Sequence, residues 1–572
     1  MKTIFTAVIC LWLTALYAVA ESPKVRELRE PEAATGFAPR EAVSAQKYMA
    51  VTANPYATRA ADTMLKQGGA AIDAAIAAQL VLTLVEPQSS GIGGGAFLLH
   101  WQAQGQQLTS YDGRETAPGS AKPGLFLKKD GTPERWIDAV VGGRSVGVPG
   151  VLKALELAHQ KHGKLPWKKL FEPAIKLADE GFIVSPRLHK LIALKLNPGL
   201  TQLAAANHYF YPDGNPLAAA KALRAIAESG TAAFYAGTLT PAMVKAINSS
   251  ERNPGAIALK DFKRYRAKQR PPLCDHYRQY KVCSMGPPSS GGLTLLQILG
   301  LLEGYDLPKT GVNQLQPIHL FTQASRLAFA DRDFYAADAD FVTVPIRQLL
   351  DDNYIAKRRR RISPKLDMGQ ATPGQLTDLA YGQDDALEMP STSHMSIIDS
   401  RGNAISMTTS IEMAFGSTVF ANGYLLNNQL TDFSLSPTKN GHPVANRVEA
   451  GKRPRSSMTP VMVFDHDNKL IAVLGSPGGS RIINYVAHSL IAMLDWNLDI
   501  QQAISLPKAS NRNGPTTLEQ DTGITLLREG LEKLGHKVQL RQLNSGLHGI
   551  QITPKGMLGG VDPRREGLAL GE

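Results

Sequence analysis

A threonine hydroxyl is a poor nucleophile at neutral pH and needs a base beside it. Thr392 begins a run, Ser393 to Glu412, that reads as two strands joined by an Asp-Ser-Arg-Gly turn. If a three-residue loop, Ser400 to Gly402, joins them, Asp399 faces Asn403, and counting outward brings Thr392 opposite Ser410. A loop one residue longer or shorter brings Thr409 or Ile411 there instead. Two facing hydroxyls are also what ordinary cross-strand Thr/Ser pairing looks like, so the hairpin alone assigns no chemistry. A base must come from elsewhere, and His394 and His548 can be proposed for it. Each reads as a hydrogen-bonded structural histidine. The glycine run Ser90-Gly-Ile-Gly-Gly-Gly-Ala-Phe97 lacks the Gly-Lys-Ser/Thr ending of a phosphate loop and does not follow a strand. Close packing of backbone is the better reading.

The surrounding elements have to hold these groups. Residues 55–85 contain two helical stretches broken at Gly68-Gly69, the second so rich in alanine that it must pack closely. Residues 97–112 read as a hairpin, and residues 151–250 and 313–361 as mainly helical. Residues 362–391 are polar and patternless, and are read as a mobile connector. After it, strand-like segments follow at 422–427, 460–465 and 469–475, and helices near 480–495, 498–505 and 522–535. Strands flanked by helices without βαβ alternation point to layered antiparallel sheets.

The run from Thr392 to Gly416 resembles the processing-site signature of γ-glutamyltransferases. So do EPQSSGIGGGAF, YDGRETAP, GRSVGVPG, SMGPPSSGG, LLNNQLTDFS, KRPRSSMTP, GSPGGSRI and the tail DPRREGLALGE, in the family's order over nearly the whole chain. The resemblance implies an α+β fold, a four-layer αββα sandwich of the N-terminal-nucleophile type. In it, large and small subunits from one precursor are intertwined. It implies self-cleavage between Ser391 and Thr392, leaving a large subunit from Glu21 to Ser391 and a small catalytic one from Thr392 to Glu572. Thr392 becomes the nucleophile, Ser410 the hydroxyl that steers it, and Gly478 and Gly479 the oxyanion hole. Arg114, Ser456 and Ser457 correspond to the family's clamp for the substrate α-carboxylate, and Glu412, Gln429 and Asp432 to the acceptors for its α-ammonium. No cofactor and no metal are implied. The expected partners are γ-glutamyl compounds such as glutathione, with water or an amino acid or peptide amine as acceptor. A glutaryl- or cephalosporin-type acylase shares the mechanism and is the alternative. Between Asp432 and Ser456 the chain is shorter than in many relatives and carries no closing aromatic after Phe433, which implies an open pocket.

Composition limits the rest. The chain has 572 residues, 43% of them hydrophobic, enough for a large core. Lys2, the apolar Ile4 to Tyr17 and Ala18-Val19-Ala20 read as a secretory signal over residues 1–20. The expected location is therefore extracytoplasmic, with the periplasm favoured. The net charge is +12, but its densest run, Lys357 to Arg361, has no aromatic interleaving and reads as a solvated helix end, not a nucleic-acid surface. Cys10 falls in the signal. Cys274 and Cys283 flank a turn and are either a disulfide or two buried thiols.

Overall fold

The computed structural model describes residues 34, 36–211, 217–376, 380–389 and 391–572, with backbone alone at 217–221. The secretory signal, residues 1–20, and the start at Glu21 lie outside the described residues. Two seven-stranded antiparallel sheets form the centre. One runs in the order Val43–Ala45, Gly556–Val561, His548–Thr553, Leu470–Gly475, Val461–Phe464, Tyr280–Ser284, Leu273–Tyr277. The other runs Leu568–Gly571, Met49–Thr52, Ser393–Ile398, Ala404–Ser410, Gly95–Gln102, Gln107–Gly113, Lys268–Arg270.

A buried apolar cluster with Met49, Val51, Leu99, Ile398, Met462, Val473 and Ile550 lies between the sheets. The outer face of the first sheet packs on helices Gly291–Leu302, Leu315–Tyr335 and Ile482–Leu494. The outer face of the second packs on Pro55–Lys66, Ala71–Val85 and Val151–His162. Four layers result, helix–sheet–sheet–helix, each sheet hiding both faces. The α+β sandwich implied by the resemblance is therefore observed.

Local chemistry explains how the helices meet the sheets. Asn54 accepts from the Tyr56 N–H at 3.0 Å and Pro55 opens the first helix, a favourable start. The alanine-rich helix Ala71–Val85 is buried on every side, as its composition requires. The Ala71 N–H at its N-terminus donates to Asp399 Oδ2 at 3.1 Å. Asp399 also holds its own turn, accepting from the Arg401 and Asn403 N–H groups. The far end of the Thr392 hairpin is thus fastened to a helix N-terminus, where a carboxylate is favoured. A Cβ added at Gly93 would fall 2.1 Å from the Leu425 carbonyl oxygen, and one at Gly94 2.2 Å from that of Ser410. The glycine run therefore serves close backbone packing.

Three readings need correction. The described residues of the connector 362–391 form no helix or strand of their own, yet they are tied down: Arg326 grips Asp367 at 2.9 Å, and the Gly374 N–H donates to Asp331 at 2.8 Å. In the basic run, Lys357, Arg360 and Arg361 are exposed, but Arg358 is buried against Asp331 at 3.0 Å, and Arg359 donates to the Gly300 and Leu301 carbonyls. His548 has no hydrogen bond of normal geometry at either ring nitrogen among the described residues; it is a buried neutral ring, pushed down to about 4 by desolvation. The open question at Cys274 and Cys283 resolves as a disulfide between facing positions of one hairpin.

Candidate active site

Strand Ser393–Ile398 pairs with Ala404–Ser410 so that Ser393 faces Thr409 and Ile398 faces Ala404. One step outward, Thr392 meets Ser410, the register that the three-residue loop requires. The Thr392 hydroxyl donates to Ser410 Oγ at 3.4 Å. Ser410 in turn donates to the Ser391 carbonyl oxygen at 2.9 Å, and the Glu412 N–H donates to Ser410 Oγ at 2.8 Å. The Ser391 hydroxyl donates to the Gln88 carbonyl. A hydroxyl fixed by backbone therefore polarises the peptide carbonyl just before Thr392, and the threonine oxygen lies beside it. That is the arrangement acyl transfer at this bond demands.

Glu412 follows the strand with φ of +78°, a left-handed conformation that costs a side chain about 1 kcal/mol or more. Its bonds offset that cost. The Met413 N–H and the Asn428 side chain both donate to its carboxylate. The turn aims Glu412 into a pocket shared with Thr392, Ser410, Arg114, Gln429, Asp432, Ser456, Ser457 and Gly479. Nine of the ten residues expected from the sequence thus share one pocket. Gly478 stands just outside it, against Tyr485, with φ of +137°; Gly479 has φ of +56°, and both conformations suit glycine.

The electrostatics are lopsided. Gln429 Oε1 and Asp432 Oδ1 are buried without a hydrogen-bond donor among the described residues. Burial pushes Asp432 up to about 7, against the pull of Arg114. Burial, then the neighbouring Asp432, pushes Glu412 well above the usual carboxylate range. Two unsatisfied acceptors thus lie beside two crowded carboxyls. Arg114 is committed inside the wall. Its Nη2 donates to Asp432 at 2.5 Å and to the Arg455 carbonyl at 2.9 Å, and its Nε to the Pro454 carbonyl at 3.2 Å. Glu115, 3.7 Å from Arg114 Nη1, is buried with neither oxygen hydrogen-bonded among the described residues, and desolvation lifts it to about 8. Among the described residues no group of three or more His, Cys, Asp or Glu is placed to hold a metal.

The sequence reading misses two occupants and the two arginines that hold one of them. Glu388 and Met389, just upstream of the bond, lie in the pocket and leave a void of only about 20 Å³, room for about one water. Arg332 and Arg455 hold the Glu388 carboxylate. The signals were present: a lone acid four residues before Thr392, and an arginine directly before Ser456. The shortened segment after Asp432 packs on the connector: the Gly382 N–H donates to the Pro443 carbonyl at 2.9 Å, and Asn446 donates to Asp384 at 2.9 Å. His394 lies off the pocket wall, bonded to Thr408 at 2.9 Å and Ser396 at 3.2 Å, and burial drives it well below its ordinary pKa.

Known proteins share this architecture and sequence. The family model described as Gamma-glutamyltranspeptidase matches residues 57–572. The glutathione hydrolase proenzyme of Escherichia coli (strain K12) is 34% identical over 540 residues, covering 91% of each chain. The Acylase ACY 1 proenzyme of Pseudomonas sp. (strain V22) is 33% identical over 537 residues, covering 90% of this chain and 91% of its own. Among solved structures, a cephalosporin acylase from Bacillus halodurans has a TM-score of 0.81 at 27% identity, covering 97% of this chain and 99% of that one. The chain belongs to the gamma-glutamyltranspeptidase family.

Proposed function

We propose that this protein is a self-processing γ-glutamyltransferase and glutathione hydrolase with Thr392 as its nucleophile. In the first step Thr392 Oγ1 adds to the Ser391 carbonyl carbon. The C–N bond breaks, and the nitrogen takes up the proton that the hydroxyl loses, which frees the Thr392 amino group. Water then hydrolyses the ester, releasing a Ser391 carboxylate and restoring the Thr392 hydroxyl. In turnover that amine takes the hydroxyl proton as Oγ1 attacks a γ-glutamyl amide, and gives it to the leaving amine. The N–H groups of Gly478 and Gly479 receive the oxyanion. Water, or the amine of an amino acid or peptide, resolves the γ-glutamyl ester.

Arg114, Ser456 and Ser457 take the α-carboxylate, and Glu412, Gln429 and Asp432 the α-ammonium. The observation that carries this reading is the pair of unsatisfied acceptors, Gln429 Oε1 and Asp432 Oδ1, in the pocket that holds Thr392. The large subunit runs from Glu21 to Ser391 and the small one from Thr392 to Glu572, in an exported, periplasmic enzyme. No helix among the described residues is long and apolar enough to cross a membrane.

Similarity to acylases keeps a second reading in view, with the same nucleophile and a glutaryl-type substrate. A glutaryl group has no ammonium, so it leaves the acidic acceptors empty. Comparing γ-glutamyl- with glutaryl-p-nitroanilide separates the two. The γ-glutamyl compound is expected to be cleaved faster, and the reverse order makes the protein an acylase. Intact mass under denaturing conditions should show two chains, the smaller beginning at Thr392. The Thr392→Ala variant should remain one inactive chain.

A further inference from the structure

The side chain of Glu388 is 5% exposed, and it lies in a seat built from two other segments, one with Arg332 and one with Arg455 and Ser457. Arg332 Nη2 donates to its Oε1, Arg455 Nε donates to the same oxygen at 3.3 Å, and the Ser457 hydroxyl donates to Oε2. Arg332 also donates to Ser457 Oγ at 2.6 Å and to Ser290 Oγ at 2.9 Å, which fixes the fork. Burial opposes a charge on Glu388, but the two guanidiniums prevail and hold it well below the usual carboxylate range.

Neutralising the arginines does not require this acid. Arg332 keeps Asp333 at 2.6 Å, and Arg455 keeps Asp384 at 3.0 Å. What Glu388 adds is an anchor on the segment that leads to the scissile bond. Downstream of it, the Met389 N–H reaches Glu412 Oε1 at 3.4 Å, and Ser391 is held by Gln88 and Ser410. A Cβ added at Gly479 would fall 2.7 Å from the Glu388 carbonyl oxygen, so the connector backbone runs tightly along that turn.

We infer that Arg332, Arg455 and Ser457 form a carboxylate subsite that Glu388 occupies before cleavage, and that this seat positions the Ser391–Thr392 bond for its own scission. The inference rests on the self-processing reading above. Glu388 touches none of the reacting atoms and is a positioning residue. A bond held at both ends reaches attack geometry more often than one held at a single end, and lost registration is commonly a 10–100-fold effect.

The test follows the cut fraction over time by denaturing mass spectrometry in the wild type, Glu388→Ala, Glu388→Gln and Glu388→Asp. Thermal unfolding of each variant is measured in parallel. Glu388→Ala and Glu388→Gln should cut at least about tenfold more slowly with unchanged unfolding midpoints, and Glu388→Asp should fall between. Acetate, which matches the deleted CH2–COO− group, should restore cutting in Glu388→Ala with saturation. Wild-type rates in Glu388→Ala overturn the inference. So does slow cutting that acetate leaves unchanged while Glu388→Asp is no better than alanine. An uncut wild type overturns the self-processing reading, and this one with it.

Discussion

Glu412 and Asp432 share a buried pocket that tolerates one negative charge far better than two. Desolvation lifts both; the neighbouring Asp432 raises Glu412 further, and Glu388 does the same to Asp432. Near neutrality the pair therefore holds a proton that an incoming ammonium must displace. A raised carboxyl pKa means the proton is bound below about 7 and lost above it. The KM for γ-glutamyl-p-nitroanilide should therefore rise as pH falls from 8 to 6, by up to about tenfold per unit, with kcat changing less. A KM that stays flat over this range counts against an ammonium site. Glu412→Gln leaves in place the burial that lifts Asp432, so the slope should persist. It removes an acidic acceptor from the site, and KM at pH 8 should rise about 10–100-fold, the worth of a charged hydrogen bond. Glutaryl-p-nitroanilide, lacking the ammonium, should show neither change.

At the scale of elements, the hairpin Leu273–Tyr277 and Tyr280–Ser284 forms one edge of a central sheet. Its disulfide closes a loop with a sequence separation of nine. Such a loop stabilises the fold by about 2–3 kcal/mol, chiefly by restricting the unfolded chain. Replacing both cysteines with alanine should lower the urea midpoint accordingly and leave kcat unchanged, because the hairpin lies apart from the pocket. A midpoint equal to wild type would show that sheet pairing alone secures this edge. The hairpin was legible in sequence because Cys274 and Cys283 bracket a turn within alternating residues. The Thr392 hairpin was legible because its Asp-Ser-Arg-Gly turn sets the register. The strands Met49–Thr52 and His548–Thr553 were not. The first is buried on both faces, so it shows no alternation, and the second carries Gly549 in mid-strand. The seat of Glu388 was hidden for a different reason. Arg332 lies far in sequence from Arg455 and Ser457, and only the packed layers bring the two segments to one carboxylate.

At the scale of the molecule, the bond before Thr392 divides a chain whose halves are already woven together. The sheet that holds Thr392 takes Met49–Thr52, Gly95–Gln102, Gln107–Gly113 and Lys268–Arg270 from before the bond, and Ser393–Ile398, Ala404–Ser410 and Leu568–Gly571 from after it. The new terminus strand Ser393–Ile398 lies between Met49–Thr52 of the other half and its own partner. The second sheet alternates in the same way. Val43–Ala45 pairs with Gly556–Val561, and Tyr280–Ser284 with Val461–Phe464. Pulling the halves apart would break five interstrand ladders among the described residues and expose the core between the sheets, a cost comparable to unfolding. The cut protein should therefore run as one species on a native sizing column at any dilution, and part into two chains only where denaturant also abolishes its secondary structure. Coincident loss of circular dichroism and of co-elution along a urea series is the expected result. Separation of the two chains at a urea concentration that leaves the helices and sheets intact would mean that the interleaved ladders do not bind the halves, and that another contact holds them.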